Sequence, residues 1–171
     1  MKPQGWDLAA WGFALYVGGS FFSVLIPGIA LLSTVGLILF LIGLYQVGQA
    51  LGRPQVFTDQ LIGRATLWLG FFFTGGTLTL GTVRHLEQGG HPLGSVLAGI
   101  LVFWLFSIVA GWFIRRSFKA LAEASRRPLF SLAGELIFWG AVAGIVLVGY
   151  LAVLAGEVAA LIAFFQGPAE A

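Results

Sequence analysis

Residues 93–116 read LGSVLAGILVFWLFSIVAGWFIRR, a stretch with no charged side chain until Arg115 and Arg116. As a helix, residues 93–114 would measure about 33 Å at 1.5 Å per residue. A bilayer's hydrocarbon core is about 30 Å thick and needs roughly 20 apolar residues to cross. The segment therefore reads as a transmembrane helix with a basic stop.

The same pattern recurs on both sides of it. Apolar runs cover about 8–26, 29–50, 60–82, 130–149 and 151–166. The expected fold class is all-α, a polytopic transmembrane helix bundle of about six spans in a single domain, with five spans as the fallback. Composition agrees. The chain has 171 residues, 58% of them hydrophobic and 9% charged, where a soluble domain carries about 25% charge. So few charges cannot coat a water-soluble fold. The pI of about 9.4 then belongs to membrane topology and not to nucleic-acid binding. Cysteine is absent, which excludes disulfides and thiolate metal sites. Asparagine is absent and arginine outnumbers lysine seven to two. That composition fits a thermophilic source or a GC-rich genome.

Breakers set the expected boundaries. Lys2 followed by an apolar run resembles a signal peptide, but Asp7 and the lack of a small-x-small cleavage site favour a first span. Pro27-Gly28 reads as a tight hairpin. Leu51-Gly52-Arg53-Pro54 combines a glycine C-terminal signal with a proline stop. Thr58 and Asp59 are candidate caps for the third helix. The fourth span flows into residues 115–125, which have helix-forming composition and are expected to protrude or bend along the interface until Pro128. Residues 129–166 are too long for one span, so they are divided near Gly149-Tyr150. Residues 36–46 and 156–166 align without gaps, so the first and last hairpins are candidate repeats.

Eight of the nine cationic residues fall on one side of a six-span threading; Arg84 is the exception. Because Lys and Arg concentrate in cytoplasmic loops, both termini and the loop around 115–128 are expected in the cytoplasm of a prokaryotic cell. Trp6, Tyr45, Trp68, Trp112 and Tyr150 fall near expected span ends, as in an aromatic belt.

Few residues carry candidate chemistry. Glu157 lies in the middle third of the last span, where an ionisable group is costly and calls for a partner or a role. Glu135 in the fifth span and Arg64 in the third lie near the same face, and an ion pair between them would offset both costs. Glu135, Glu157 and Arg64 form the candidate intramembrane polar site. His85, Glu87 and His91 share a loop but match no ligand spacing. Thr66, Gly70, Thr74, Thr77 and Gly81 share one helix face suited to close packing, as do Gly48-x-x-x-Gly52 and Gly140-x-x-x-Gly144. Arg115, Arg116, Lys119, Arg126 and Arg127 are suited to anionic headgroups. No phosphate loop, nucleophile elbow, zinc or haem motif is present, so no enzyme, cofactor or metal is expected.

One family resemblance emerges. Gly36 to Tyr45 with Gly52-x-Pro-x-Val-Phe57, then Ser117-Phe-Lys-x-Leu-Ala-Glu123, Phe130-x-x-Ala-Gly134, Gly140-Ala141 and Ala163-Phe-Phe165, resemble the prokaryotic integral membrane proteins of domain-of-unknown-function family 996. The chain departs from the family pattern where a Thr-Gly is replaced by Ser125-Arg-Arg-Pro-Leu129. The resemblance implies a membrane protein and brings no activity or site residues. The expected function is a small non-enzymatic membrane scaffold or accessory protein, partnered by the lipid bilayer and by further copies or a larger membrane complex. The alternative is a small transporter or channel using Glu157 and Glu135.

Overall fold

The computed structural model describes residues 2–23, 26, 30–88, 93–145 and 148–169. Six α-helices follow one another: α1 (Trp6–Ser23), α2 (Ala30–Ala50), α3 (Gln55–Gln88), α4 (Leu93–Ser125), α5 (Pro128–Val142) and α6 (Val148–Gln166). A short 3-10 turn, Ala143–Ile145, extends α5. No strand occurs among the described residues. Five helices, α2 to α6, are long and apolar enough to cross a membrane.

The helices pair as three antiparallel hairpins, and each helix packs on its sequence neighbours. Contacts between α1 and α6 close the chain into a ring. One end of the ring holds both described chain ends and the turns between α2 and α3 and between α4 and α5; we term it the terminal end.

The packed core occupies only the half nearest that end. Trp6, Phe13, Phe40, Phe118, Phe130 and Phe164 are fully buried there. Phe164 lies 4.8 Å from Phe130, 5.7 Å from Trp6 and 5.8 Å from both Phe13 and Phe40, ring centre to ring centre. Tilted and edge-on pairs at such separations add to the stabilisation from burial alone. The Trp6 indole Nε1 also donates to the Phe164 carbonyl at 2.7 Å, which the Gly167 amide of the closing turn shares at 3.2 Å. Trp6 is thus a core residue and not the belt residue its position in the sequence implied. Trp68 is half-exposed on α3.

Glycines seven residues apart set the hairpin spacing. A Cβ on Gly12 would lie 2.3 Å from the Phe40 amide nitrogen, and one on Gly43 would lie 2.3 Å from that of Ala9. Gly19 and Gly36 meet the partner backbone in the same way. Gly140 packs on Gly149 and Val153 of α6, so its close approach serves the monomer.

Turn chemistry at the corner between α2 and α3 matches the glycine stop expected there. Gly52 has φ 65°, and the Arg53 amide donates to the Gly48 carbonyl at 2.8 Å, the paired geometry of a glycine-terminated helix. The turn between α4 and α5 has the same geometry with Arg126 at φ 55° and the Arg127 amide on the Ala122 carbonyl. Here the sequence replaces the Thr-Gly of the resembled pattern. Helix α4 continues unbroken past Arg115 to Ser125, with Phe118, Leu121 and Ser125 buried in the core. Thr58 and Asp59 do not cap α3, which begins at Gln55; Thr58 bonds back to the preceding turn and Asp59 pairs with Arg116 at 3.4 Å. The break in the last long stretch falls at Ala143–Ile145, a few residues before the expected Gly149-Tyr150. Pro27-Gly28 and His91 lie outside the described residues, as do the side chains of His85 and Glu87. The backbone of His85 and Glu87 continues α3.

Helices α3 and α4, of 34 and 33 residues, are about 50 Å long by helical rise, whereas α2, with 21, is about 32 Å. Trp104 Nε1 donates to the carbonyl of Val142, the last residue of α5, at 3.0 Å. The α3–α4 hairpin continues past that level, with Leu80, Leu93 and Leu97 exposed.

Two stability outcomes follow. Phe164→Ala, which empties the aromatic centre, should cost about 3 kcal/mol or more and weaken the α1–α6 closure, read as a lower melting temperature in detergent. Arg126→Gly should raise that temperature and Gly52→Ala lower it, each by about 1 kcal/mol, because an L side chain in the left-handed region costs of that order.

Candidate functional site

Helix α3 carries two polar side chains one turn apart, Gln60 and Arg64, and both point into the bundle; Gln60 is fully buried and Arg64 is 4% exposed. A guanidinium in such a place needs partners, since a buried unpaired charge costs several kcal/mol. Arg64 Nη1 donates to the Tyr16 hydroxyl at 2.7 Å and to Glu157 Oε1 at 3.3 Å. Its Cζ also stands 4.5 Å from the centre of the Tyr16 ring, within cation–π range. One side chain thereby ties α1, α3 and α6 together.

The pairing corrects the sequence expectation. Arg64 was expected to meet Glu135; it meets Glu157. Glu135 sits nearer the terminal end, where its Oε1 accepts from Arg115 and from Lys119, each at 2.8 Å. Those three side chains are part-exposed, and such pairs contribute at most about 1 kcal/mol. Glu135 is thus outside the buried site, Tyr16 belongs to it, and Gln60 is buried one turn away on α3. Tyr16 carried no signal of its own in a span full of aromatics. Gln60 and Arg64, four residues apart in an apolar run, share a helix face, and that spacing was the available clue.

Polar satisfaction at the site is incomplete. Nε and Nη2 of Arg64, and Oε1 and Nε2 of Gln60, are buried without a hydrogen-bond partner among the described residues. Native structures leave few such groups, and each unmade bond costs about 1–3 kcal/mol. Nε and Nη2 form one edge of the guanidinium fork, the edge that matches a carboxylate in two parallel bonds.

A cavity of ≈ 100 Å³ adjoins the pair, bounded by Arg64 and Glu157 and otherwise mainly by apolar and aromatic groups of α3, α4, α5 and α6. It shares Phe103, Trp104, Gly144 and Tyr150 with a further cleft of ≈ 240 Å³ that also reaches Phe71, Thr74 and Ile100. The cleft adjoins the cavity across these shared residues, on the side away from the terminal end. Among the described residues no group of three or more His, Asp or Glu side chains is placed to hold a metal.

The expected threonine-glycine face of α3 packs on α4. Gly70 abuts Phe106, Gly81 abuts Ser95, and Thr74 Oγ1 donates to the Gly99 carbonyl at 3.2 Å. Of the second glycine pair, Gly144 borders the cavity.

Comparison with known proteins gives one family. The model of a family described as a protein of unknown function, DUF996, matches residues 32–158. An uncharacterised protein of Methanocaldococcus jannaschii, MJ1644, is 26% identical over 165 residues, covering 91% of this chain and 92% of that protein. No solved structure matches.

The two carboxylates should separate in a stability experiment. Glu157→Ala strands Arg64 and should cost about 3 kcal/mol or more, whereas Glu135→Ala, at a part-exposed cluster, should cost about 1 kcal/mol or less. Thermal unfolding of both variants in the same detergent measures the difference.

Proposed function

The chain belongs to the DUF996 family of proteins of unknown function, and from that premise we propose that it is a non-enzymatic, multi-pass membrane protein that carries a small solute past the Arg64–Glu157 pair. One observation supports this above the others: a guanidinium buried at mid-bundle, paired with a carboxylate on another helix, borders a cavity and has hydrogen-bonding capacity left over. Ionisable groups in such positions are costly and mark solute or proton pathways. A static prop between helices would be served as well by apolar packing.

The placement of basic residues supports the orientation. Lys2, Arg53, Arg115, Arg116, Lys119, Arg126 and Arg127 lie around the terminal end, so by the charge bias that end faces the cytoplasm of a prokaryotic cell. In this reading the closed half faces inward, the cleft lies on the outward side of the cavity, and the conformer is the outward-accessible member of an alternating pair.

A second reading keeps the scaffold role. The extension of α3 and α4 past α5 displays exposed Leu80, Val83, Leu93 and Leu97, a surface suited to further copies or to a larger membrane complex as well as to lipid.

Reconstituted vesicles decide between these. Under the carrier reading, purified protein supports flux of protons or a small solute, and Glu157→Gln reduces it at least tenfold with the fold intact by circular dichroism. Absence of flux across a panel of protons, cations and small organic ions, together with a stable oligomer by mass in detergent, would sink the carrier and leave the scaffold.

A further inference from the structure

We propose that the Arg64–Glu157 site binds a small monocarboxylate with an apolar or aromatic body, and that each carboxylate bound is accompanied by one proton taken up on Glu157. This deepens the carrier reading and rests on it for its biological meaning, although the binding chemistry can be tested by itself.

The ligand class comes from the lining. Beyond Arg64 and Glu157, the cavity and the cleft joined to it are walled by Leu67, Phe103, Trp104, Ile137 and Val153. Such walls suit an apolar body and leave a sugar or a polyanion without partners. The single strong attachment point is the guanidinium. Its Nη1 is engaged with Tyr16 and Glu157, while Nε and Nη2 have no partner. Both atoms are buried, so docking requires the guanidinium to turn toward the cavity; a carboxylate on that edge then makes two parallel charge-assisted bonds and satisfies two of the buried donors. Ser107 adds a hydroxyl on the cavity wall, with its own proton already given to the Phe103 carbonyl.

The proton follows from charge. Around the site, α1 contributes Tyr16, α3 contributes Arg64, α6 contributes Glu157 and Tyr150, α4 contributes Ser107, and the α5 residues lining it, Ile137 and Ala141, are apolar. Arg64 is the only cation among these groups, and ionised Glu157 already balances it. An entering carboxylate leaves two anions around one cation in an apolar setting. Like charges at such a site do not both remain ionised; one carboxyl takes a proton. Glu157 is the natural acceptor because its single bond to Nη1 is the longer, 3.3 Å, and the incoming group takes the forked edge. The balance is simple. Ionised ligand, one proton from water and the Arg64⁺–Glu157⁻ pair give an Arg64⁺–ligand⁻ pair and neutral Glu157. The net charge of the site is unchanged, so loading is electroneutral.

Calorimetry on the full chain in lipid nanodiscs tests both halves, with benzoate as probe, benzamide as its uncharged counterpart, dodecanoate as a lipid-borne carboxylate, and protein-free nanodiscs subtracted. Titrations in buffers of different ionisation heat count the protons. The expected result is saturable binding of benzoate or dodecanoate, about one proton taken up per ligand, and affinity that falls as the pH is raised. Whichever carboxylate binds identifies a soluble or a lipid-borne source. Glu157→Gln should retain binding with proton uptake and pH dependence gone. Arg64→Lys, which keeps the charge but loses the fork, should weaken binding at least tenfold with an unchanged circular dichroism spectrum. Equal binding of benzamide, unaltered proton uptake in Glu157→Gln, or no heat beyond that of protein-free discs with either carboxylate would overturn the proposal. Carboxylate binding with no flux in vesicles leaves this inference standing and removes the carrier. Flux of some other solute without carboxylate binding does the reverse.

Discussion

Closure of α1 onto α6 is the constraint on which the arrangement depends. These helices are the first and last of the chain, and no short loop forces them together. The Trp6 indole on the Phe164 carbonyl and the aromatic cluster around the Phe164 ring hold them. Once the ring is closed, Tyr16 on α1 and Glu157 on α6 converge on Arg64 of α3. The buried ion pair is thus a consequence of aromatic packing about two turns away along α6. Without that closure the guanidinium would face hydrocarbon with one partner or none.

The two halves of the bundle follow from how each is filled. Near the termini, large rings and close-set glycines leave little space, and the basic residues gather around the rim. Toward the other end, α5 and its 3-10 turn stop while α3 and α4 continue. There the end of α5 is tied to the α3–α4 hairpin by the Trp104 indole on the Val142 carbonyl. The cavity beside the buried pair and the cleft that adjoins it lie in this less filled half.

The candidate repeat has a structural counterpart. Gly36 and Gly156 occupy aligned positions, and each lies against the backbone of the preceding helix, Gly36 at Leu15 and Tyr16 and Gly156 at Ala133 and Ile137. The aligned pairs Phe40 and Ala160, and Leu44 and Phe164, are all fully buried. The first and last hairpins therefore use one packing scheme. Only the last carries a carboxylate next to its glycine, at Glu157, where Leu37 stands in the first.

The sequence by itself determined the class of fold, the number of helices and several of their ends. Length and hydropathy suffice for spans, and Gly52 and Pro128 act through backbone geometry that is local. It also showed that Arg64, Glu135 and Glu157 lie in apolar helices and at roughly what depth. Which of them meet was decided only by tertiary structure. Depth follows from counting residues along a helix, but partnership depends on rotation about the helix axis. In a soluble helix the polar face reveals that rotation. Here the outward surfaces are as apolar as the core, so periodicity carries almost no signal. Glu135 turns to the rim, to Arg115 and Lys119, and Glu157 turns inward to Arg64, because the aromatic cluster and the interlocked glycines fix how α5 and α6 are rotated against their neighbours.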